Sequence, residues 1–224
     1  MNTNGFKTIT LLDNNYILYQ YLDSYSPDGK IKIKCKGLGE KFVSINSFFL
    51  DYLKEYHLPI AFVKSYTKNS LRYLKHENLN FYIKILNLCD KRTAKIFDKK
   101  ESEPLMLPLF EYHYSNGKDS MISEAHLISF DLCSVEDLKI IKRLCSKVNA
   151  ILKSYFERRN STLAEVSVYF AMIEEKIYLI DDFTPNSLKV IPSDKNLNVA
   201  DPFNLRSAQS IKHYTDYLHN HVIT

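Results

Sequence analysis

Glycine is scarce in this chain, at 5 of 224 residues, and tryptophan is absent. Ordinary glycine usage is about 7%. Loops that cradle phosphates rely on glycine to bring backbone N–H groups up to oxygens, so few places here can hold one. No apolar run approaches the roughly 18 residues of a membrane span. The opening Asn2-Thr3-Asn4-Gly5-Phe6-Lys7 is polar, without the apolar stretch of a secretory leader, so no leader is expected. The four cysteines, Cys35, Cys89, Cys133 and Cys145, include no C-x-x-C pair, which argues against a zinc knuckle. Scattered thiols without a leader predict free cysteines in a reducing cytoplasm. The seven histidines make no H-x-x-x-H or H-E-x-x-H pair.

What remains is an ordinary globular composition, 45% hydrophobic and 25% charged. The chain is long enough to bury roughly 70% of the surface it exposes unfolded. Net charge is +4, from 30 basic and 26 acidic residues spread along the chain. That is compatible with a phosphorylated small molecule. It lacks the concentrated basic face of a nucleic-acid protein. Neither a nucleic-acid nor a membrane partner is expected.

Residues 15–21 are apolar and aromatic, and residues 31–35 alternate with period two. Ser26-Pro27-Asp28-Gly29 between them is a turn signal, so a β-hairpin is expected there, with residues 8–12 as an added strand. Phe42, Ile45, Phe49 and Leu53 predict an amphipathic helix over 42–56. Residues 60–63 and 79–88 read as extended. Residues 91–103 are charged and aperiodic, and Pro104 and Pro108 follow, so a linker is expected there. The basic residues Lys91, Arg92, Lys95, Lys99 and Lys100 within it read as a solvated face or an anion site. Residues 109–114 form a strand, followed by a turn at 115–117. Ser134-Val135-Glu136-Asp137 opens a long helix, with Leu138, Ile141, Leu144, Val148, Ile151 and Tyr155 on one face. Residues 166–170 and 176–182 predict a hairpin around Glu174-Glu175. Leu205, Ala208, Ile211, Tyr214 and Leu218 predict a C-terminal helix. Strands cluster rather than alternating with helices, which favours α+β.

Three ordered stretches resemble the SAICAR synthetase family (phosphoribosylaminoimidazole-succinocarboxamide synthetase). The first is Lys36-Gly37, a helix, then Leu58-Pro59-Ile60-Ala61-Phe62-Val63, similar to the family's K-G, helix, G-I-P-T-x-F. The second is Pro108-Leu109-Phe110-Glu111-Tyr112 followed by Asp119-Ser120-Met121-Ile122-Ser123-Glu124-Ala125-His126, similar to P-x-x-E-F then D-P-x-x-N-E-x-H. The third is Leu163-Ala164-Glu165-Val166-Ser167-Val168-Tyr169-Phe170, then Leu179-Ile180-Asp181-Asp182-Phe183-Thr184-Pro185-Asn186. It is similar to L-V-D-x-K-x-E-F-G then L-x-D-E-x-S-P-D. Order and spacing agree over roughly residues 30–220.

The resemblance implies an α+β fold in two lobes, an N-terminal antiparallel sheet lobe over 1–103, nucleotide-binding in the family, and a larger α+β lobe over 104–224. It implies an ATP-dependent ligase of purine biosynthesis in the cytoplasm that joins aspartate to a carboxyaminoimidazole ribonucleotide, with Mg²⁺ on the phosphates. An oligomer is also implied. Carried onto this sequence, Glu165 and Asp181 take the catalytic and metal positions. Lys7, Lys36 and Asn87 take the nucleotide, and Lys189 and Arg92 the substrate phosphate.

Many positions depart from the family's motifs. The family's Arg-Asn-x-Ala-Ala-Gly-Ser segment retains only Asn87; its arginine is Leu86 and its Gly-Ser is Lys91-Arg92. The glutamate before that segment is Tyr82. In the D-x-K-x-E-F-G stretch the lysine is Ser167, the second acid is Tyr169 and the glycine is Ala171. Losing an arginine removes a bidentate phosphate clamp. Two other expectations therefore stand beside the ligase: a pseudoenzyme kept as a nucleotide- or protein-binding scaffold, and a ligase with a different carboxylate and amine.

Overall fold

The hairpin over residues 7–21 is closed by Asp13, whose carboxylate accepts the backbone N–H groups of Asn15 (2.8 Å) and Tyr16 (2.9 Å). Such an Asx turn substitutes a side chain for a backbone turn partner. In this computed structural model, residues 2–4, 6–26, 32–115, 121–180, 182–194 and 199–223 are described. Strands β1 (Asn2–Asn4), β2 (Lys7–Leu11) and β3 (Tyr16–Tyr21) run antiparallel, with Lys7 opposite Tyr21. Strands β4 (Ser24–Tyr25) and β5 (Ile33–Lys34) form a separate short pair. The hairpin expected between 15–21 and 31–35 is therefore corrected: the 16–21 strand folds back on 7–11. The Asx turn at Asp13 sets that pairing, and Pro27, Asp28 and Gly29 lie outside the described residues.

Helix α1 (Leu38–Glu55) begins four residues before the expected start. Gly37 precedes it with φ +82°, a left-handed geometry that glycine enters without a Cβ penalty. Strands β6 (Phe62–Thr67) and β7 (Ser70–Leu74) make a hairpin that the sequence reading missed. The antiparallel sheet order is β1-β2-β3-β7-β6, and α1 packs on β3, β6 and β7 through Phe42, Ile45, Phe49 and Leu53.

Strand β8 (Glu77–Leu88) follows. The linker expected over 91–103 contains helix α2 (Lys91–Phe97), capped by the Asp90 carboxylate on the Thr93 N–H at 2.8 Å. Helix α2 is only seven residues, too short for a periodic apolar stripe to show in sequence. Next come β9 (Pro104–Tyr114), β10 (Met121–Ile122) and α3 (Glu124–Ser129). His126 is the return partner of a capping box with Ser123. Ser134 caps α4 (Val135–Glu157) by accepting the Asp137 N–H at 3.0 Å, as expected. The hairpin of β11 (Ser161–Ile173) and β12 (Lys176–Leu179) forms as expected, with Glu174 and Glu175 both at positive φ. That conformation matches the strand twist in a two-residue turn. Strand β13 (Leu188–Pro192) pairs with the first half of β11, and α5 (Ala208–Ile223) ends the chain's described elements. The second sheet has order β10-β9-β8-β11-β12, with β13 also on β11.

The result is α+β, in two compact units. One holds Met1–Glu77, Asp182–Asn186 and Asp194–Thr224; the other holds Asn78–Asp181 and Ser187–Ser193. The boundary expected between residues 103 and 104 falls inside the second unit. The chain leaves the first unit at the start of β8 and returns to it twice, which no local signal in the sequence marks. No helix among the described residues is long and apolar enough to cross a membrane.

Candidate functional site

In the first unit, Lys7 sits at the start of β2 and is buried. Its Nζ lies 2.7 Å from Asp182 Oδ2. The ammonium also stands 4.6 Å from the centroid of the Tyr19 ring, on whose face a cation is attracted. Asp182 is brought there by the chain's return to this unit. Asn46 of α1 donates to Phe42 O (2.8 Å) and accepts the Phe183 N–H. The Phe183 ring packs 5.3 Å from Phe49. The segment beginning at Asp182 is thereby pinned to α1. Asp181, the expected catalytic and metal residue beside it, lies outside the described residues.

Lys36 is exposed at the start of α1, on the rim of an open pocket of about 700 Å³ that also presents Asp23, Glu40, Thr67, Lys68 and Asn69. The Asp23 carboxylate fills the helix end. Backbone N–H groups of Gly37 and Gly39 hold its pKa below the usual carboxylate range, with the Lys36 charge adding to this. Its Oδ1 accepts the Gly39 N–H at 3.0 Å. The helix N-terminus is thus already satisfied by this chain's own carboxylate.

In the second unit, the sheet has two unlike faces. Phe81, Ile83, Ile85, Val166, Val168 and Phe170 are buried, and α4 packs on β11. Asn87 sits among these helix-side residues, and its amide exchanges two hydrogen bonds with Asn149 of α4 (2.8 and 2.9 Å). The alternate residues Tyr82, Lys84, Glu165, Ser167 and Tyr169 face the other way. On that face the strand register sets Lys84 opposite Glu111, Tyr82 opposite His113 and Glu165 opposite Lys189.

Glu111 is the hub. Lys84 Nζ is 2.7 Å from its Oε2, His113 Nε2 3.4 Å from the same oxygen, and Arg92 3.4 Å from Oε1. Burial pushes this carboxyl up, but the hydrogen bonds from His113 and Lys84 outweigh it and hold the pKa at about 2. Burial works against the Lys84 cation, yet Glu111, Glu165 and Asp90 together raise its pKa. Glu165 shifts opposite to Glu111: burial raises its carboxyl, against the opposing pull of Lys84 and Lys189. Beside them the aromatic rings stack. Tyr82 lies 5.1 Å from His113 and 5.0 Å from Tyr169, with interplanar angles of 13° and 26°.

Of the residues expected to form a site, the structure sets Glu165 and Lys189 side by side on one sheet face. Arg92 joins the ion cluster through Glu111. Asn87 is on the opposite face, and Lys7 and Lys36 belong to the other unit. The sequence reading missed Asp182 as the partner of Lys7, and Lys84 as a partner of Glu111 in the ion cluster. Lys84 and Glu111 become neighbours only through strand register. Among the described residues no group of three or more His, Cys, Asp or Glu side chains would hold a metal ion. Glu165 alone, between two lysines, does not fit Mg²⁺, which takes several hard oxygen ligands.

The model of the SAICAR synthetase family matches residues 6–207. The phosphoribosylaminoimidazole-succinocarboxamide synthase of Hahella chejuensis is 26% identical over 181 residues, 80% of this chain and 77% of its own length. That of Persephonella marina is 26% identical over 179 residues, 77% of this chain and 74% of its own. Among solved structures, a SAICAR synthetase (Type-2) in complex with ADP superposes with TM-score 0.89 at 22% identity, covering 99% of this chain and 96% of that one. The Ehrlichia chaffeensis enzyme gives TM-score 0.85 at 22% identity, over 98% and 96%. The chain belongs to the SAICAR synthetase family.

Proposed function

We propose that this chain is an ATP-dependent carbon–nitrogen ligase of purine biosynthesis, acting in the cytoplasm on a carboxyaminoimidazole ribonucleotide and aspartate. The family match over residues 6–207 carries this reading. The ADP complex of a fold relative supports a nucleotide as ligand. In the family's chemistry ATP activates a carboxylate as an acyl phosphate and an amine displaces the phosphate. The protein's part is to offset negative charge as it develops. The N-terminal region to residue 103 is proposed to take the nucleotide through Lys7 and Lys36; Asn87, expected as a third contact, is engaged by Asn149 on the helix side of the other unit's sheet. Lys189 and Arg92 are proposed for the substrate phosphate. Glu165 and Asp181 are proposed as the catalytic acids. The described residues alone do not make a Mg²⁺ site, so any metal reading rests on Asp181.

A second reading is favoured by one observation: Tyr82 and Tyr169, stacked on each other, stand where the resemblance expects two glutamates. Two phenols supply neither the charge nor the ligands of two carboxylates. On this reading the chain is a pseudoenzyme that binds a nucleotide or a protein without turnover.

The test is ligation assayed with ATP, Mg²⁺, aspartate and carboxyaminoimidazole ribonucleotide, alongside thermal unfolding with and without Mg-ATP. A ligand at 100 times its dissociation constant adds about 2.7 kcal/mol, which for a chain of this size raises Tm by roughly 5–10 °C. Product that disappears in Asp181→Asn supports the ligase. A thermal shift without product supports the scaffold. Neither product nor shift overturns the ligase and leaves no nucleotide role.

A further inference from the structure

Lys84 is a cation set among carboxylates. Its Nζ lies 2.7 Å from Glu111 Oε2 and 3.7 Å from Asp90 Oδ2. Glu165, on the strand that flanks β8 on its other side, acts on the same ammonium. The side chains of Lys84, Asp90 and Glu111 are each no more than 20% exposed, so bulk water screens these charges little. The ladder fixes the arrangement, because β8 and β9 pair with Lys84 directly opposite Glu111.

A divalent cation needs several oxygens around one point, and here the oxygens are already taken. Asp90 divides its carboxylate: Oδ1 accepts the Thr93 N–H at 2.8 Å, and Oδ2 faces Lys84. Glu111 gives Oε2 to Lys84 and His113, and Oε1 to Arg92. The spacing is also that of an ammonium. Mg²⁺ holds oxygens at about 2.0–2.1 Å in an octahedron, whereas an ammonium holds a carboxylate at about 2.7–2.9 Å. The contact between Lys84 and Glu111 is of the second kind. Charge balances from within the chain as well. Asp90, Glu111 and Glu165 oppose Lys84, Arg92 and Lys189, three formal charges of each sign, and all six residues belong to the second unit. A metal ion entering this face finds no net charge to neutralise, and meets the Lys84 ammonium already on Glu111. Lysine suits that role, because its ammonium is a compact point charge on a tether.

We propose that Lys84 is a built-in cation standing in for a divalent metal ion on the face where the resemblance sets Glu165 as a metal ligand, so that this face takes its ligand without a bridging metal. The proposal does not rest on the ligase reading, in which any metal rests on Asp181.

Mn²⁺ alone is the probe, and the ions bound per full-length chain are counted by electron paramagnetic resonance of the free ion. Glu111→Gln and Glu165→Gln are expected to leave the count of the unvaried protein unchanged. Lys84→Met, shown folded by circular dichroism, is expected to bind one Mn²⁺ more per chain, because it uncovers the carboxylates. Adding Glu111→Gln to Lys84→Met removes the extra ion, and Lys84→Arg, which keeps the cation, does not gain it. Thermal unfolding follows the same order: Mn²⁺ raises the Tm of Lys84→Met further than that of the unvaried protein, since a ligand bound only by the folded state stabilises it. A Mn²⁺ held by the unvaried protein and lost in Glu111→Gln or Glu165→Gln overturns the proposal, whether or not Lys84→Met folds. So does a folded Lys84→Met that gains no ion. Mn²⁺ that is lost only in Asp181→Asn belongs to the ligase reading and agrees with the proposal.

Discussion

Tyr82 on β8 and Tyr169 on β11 stack with ring centroids 5.0 Å apart, and His113 on β9 extends the row from the far side of Tyr82. Adjacent strands place these rings on the sheet face that α4 does not cover. Aromatic pairs contribute about 0.5–1.5 kcal/mol beyond their area burial. A double-mutant cycle on Tyr82→Ala and Tyr169→Ala is expected to return a coupling in that range from urea unfolding. Additive single costs would show that the rings are neighbours without interacting.

Lys7 and Asp182 form a buried ion pair in the first unit. Removing one partner of such a pair leaves an uncompensated charge and costs about 3–5 kcal/mol. Asp182→Ala is expected to lose that much, and Lys7→Met with Asp182→Leu to recover most of it. A loss below about 1 kcal/mol in Asp182→Ala would mean water reaches the ammonium.

Glu111 gives the second unit an acid-sensitive link. Its carboxyl is held at about 2 in the folded chain, against about 4.3 unfolded. Below the unfolded value the unfolded chain binds the extra proton, so stability falls as pH drops from about 5 towards 2. Glu165, whose folded pKa is raised by burial, has the opposite slope: it disfavours the folded state as pH rises through the ordinary carboxylate range. Glu111→Gln is therefore expected to flatten the loss between pH 5 and 2, read by chemical unfolding at each pH. An unchanged slope would place the acid sensitivity elsewhere.

Gly39 and Gly37 separate two reasons for glycine. A Cβ on Gly39 would meet the backbone oxygen of Tyr21 at 2.7 Å, and a backbone atom cannot swing aside. Gly39→Ala is expected to cost about 1–3 kcal/mol by overpacking, despite alanine's better helix propensity. Gly37→Ala meets nothing within 4 Å but keeps a left-handed φ, and is expected to cost about 1–2 kcal/mol. Thermal unfolding of both variants checks this, and a stabilised Gly39→Ala would refute the packing account.

Asn87 and Asn149 satisfy each other across β8 and α4. Asn87→Ala strands a buried amide, at about 1–3 kcal/mol, while Leu at both positions is expected to be close to neutral. Chemical unfolding of the single and double variants checks this, and a double variant as unstable as Asn87→Ala would refute the account.

Local patterns in the amino-acid order were enough for much of this protein. The Ser134 cap and the 3.6-residue stripe from Leu138 to Tyr155 mark α4, and Glu174-Glu175 between two alternating runs marks the β11–β12 hairpin. The ordered motifs from Lys36-Gly37 to Asp181 mark the family. These features depend on residues close in sequence, so their physics is written locally. Tertiary structure alone decided which distant residues meet. Asp182 reaches Lys7 because Asn46 and Phe49 hold the returning chain on α1. Lys84 meets Glu111 because one register of β8 and β9 fits the buried face. Met106 is exposed because the same pairing skips from Pro104 to Leu109. Each of those depends on side chains brought together by burial across long sequence separations, for which no local spacing is diagnostic.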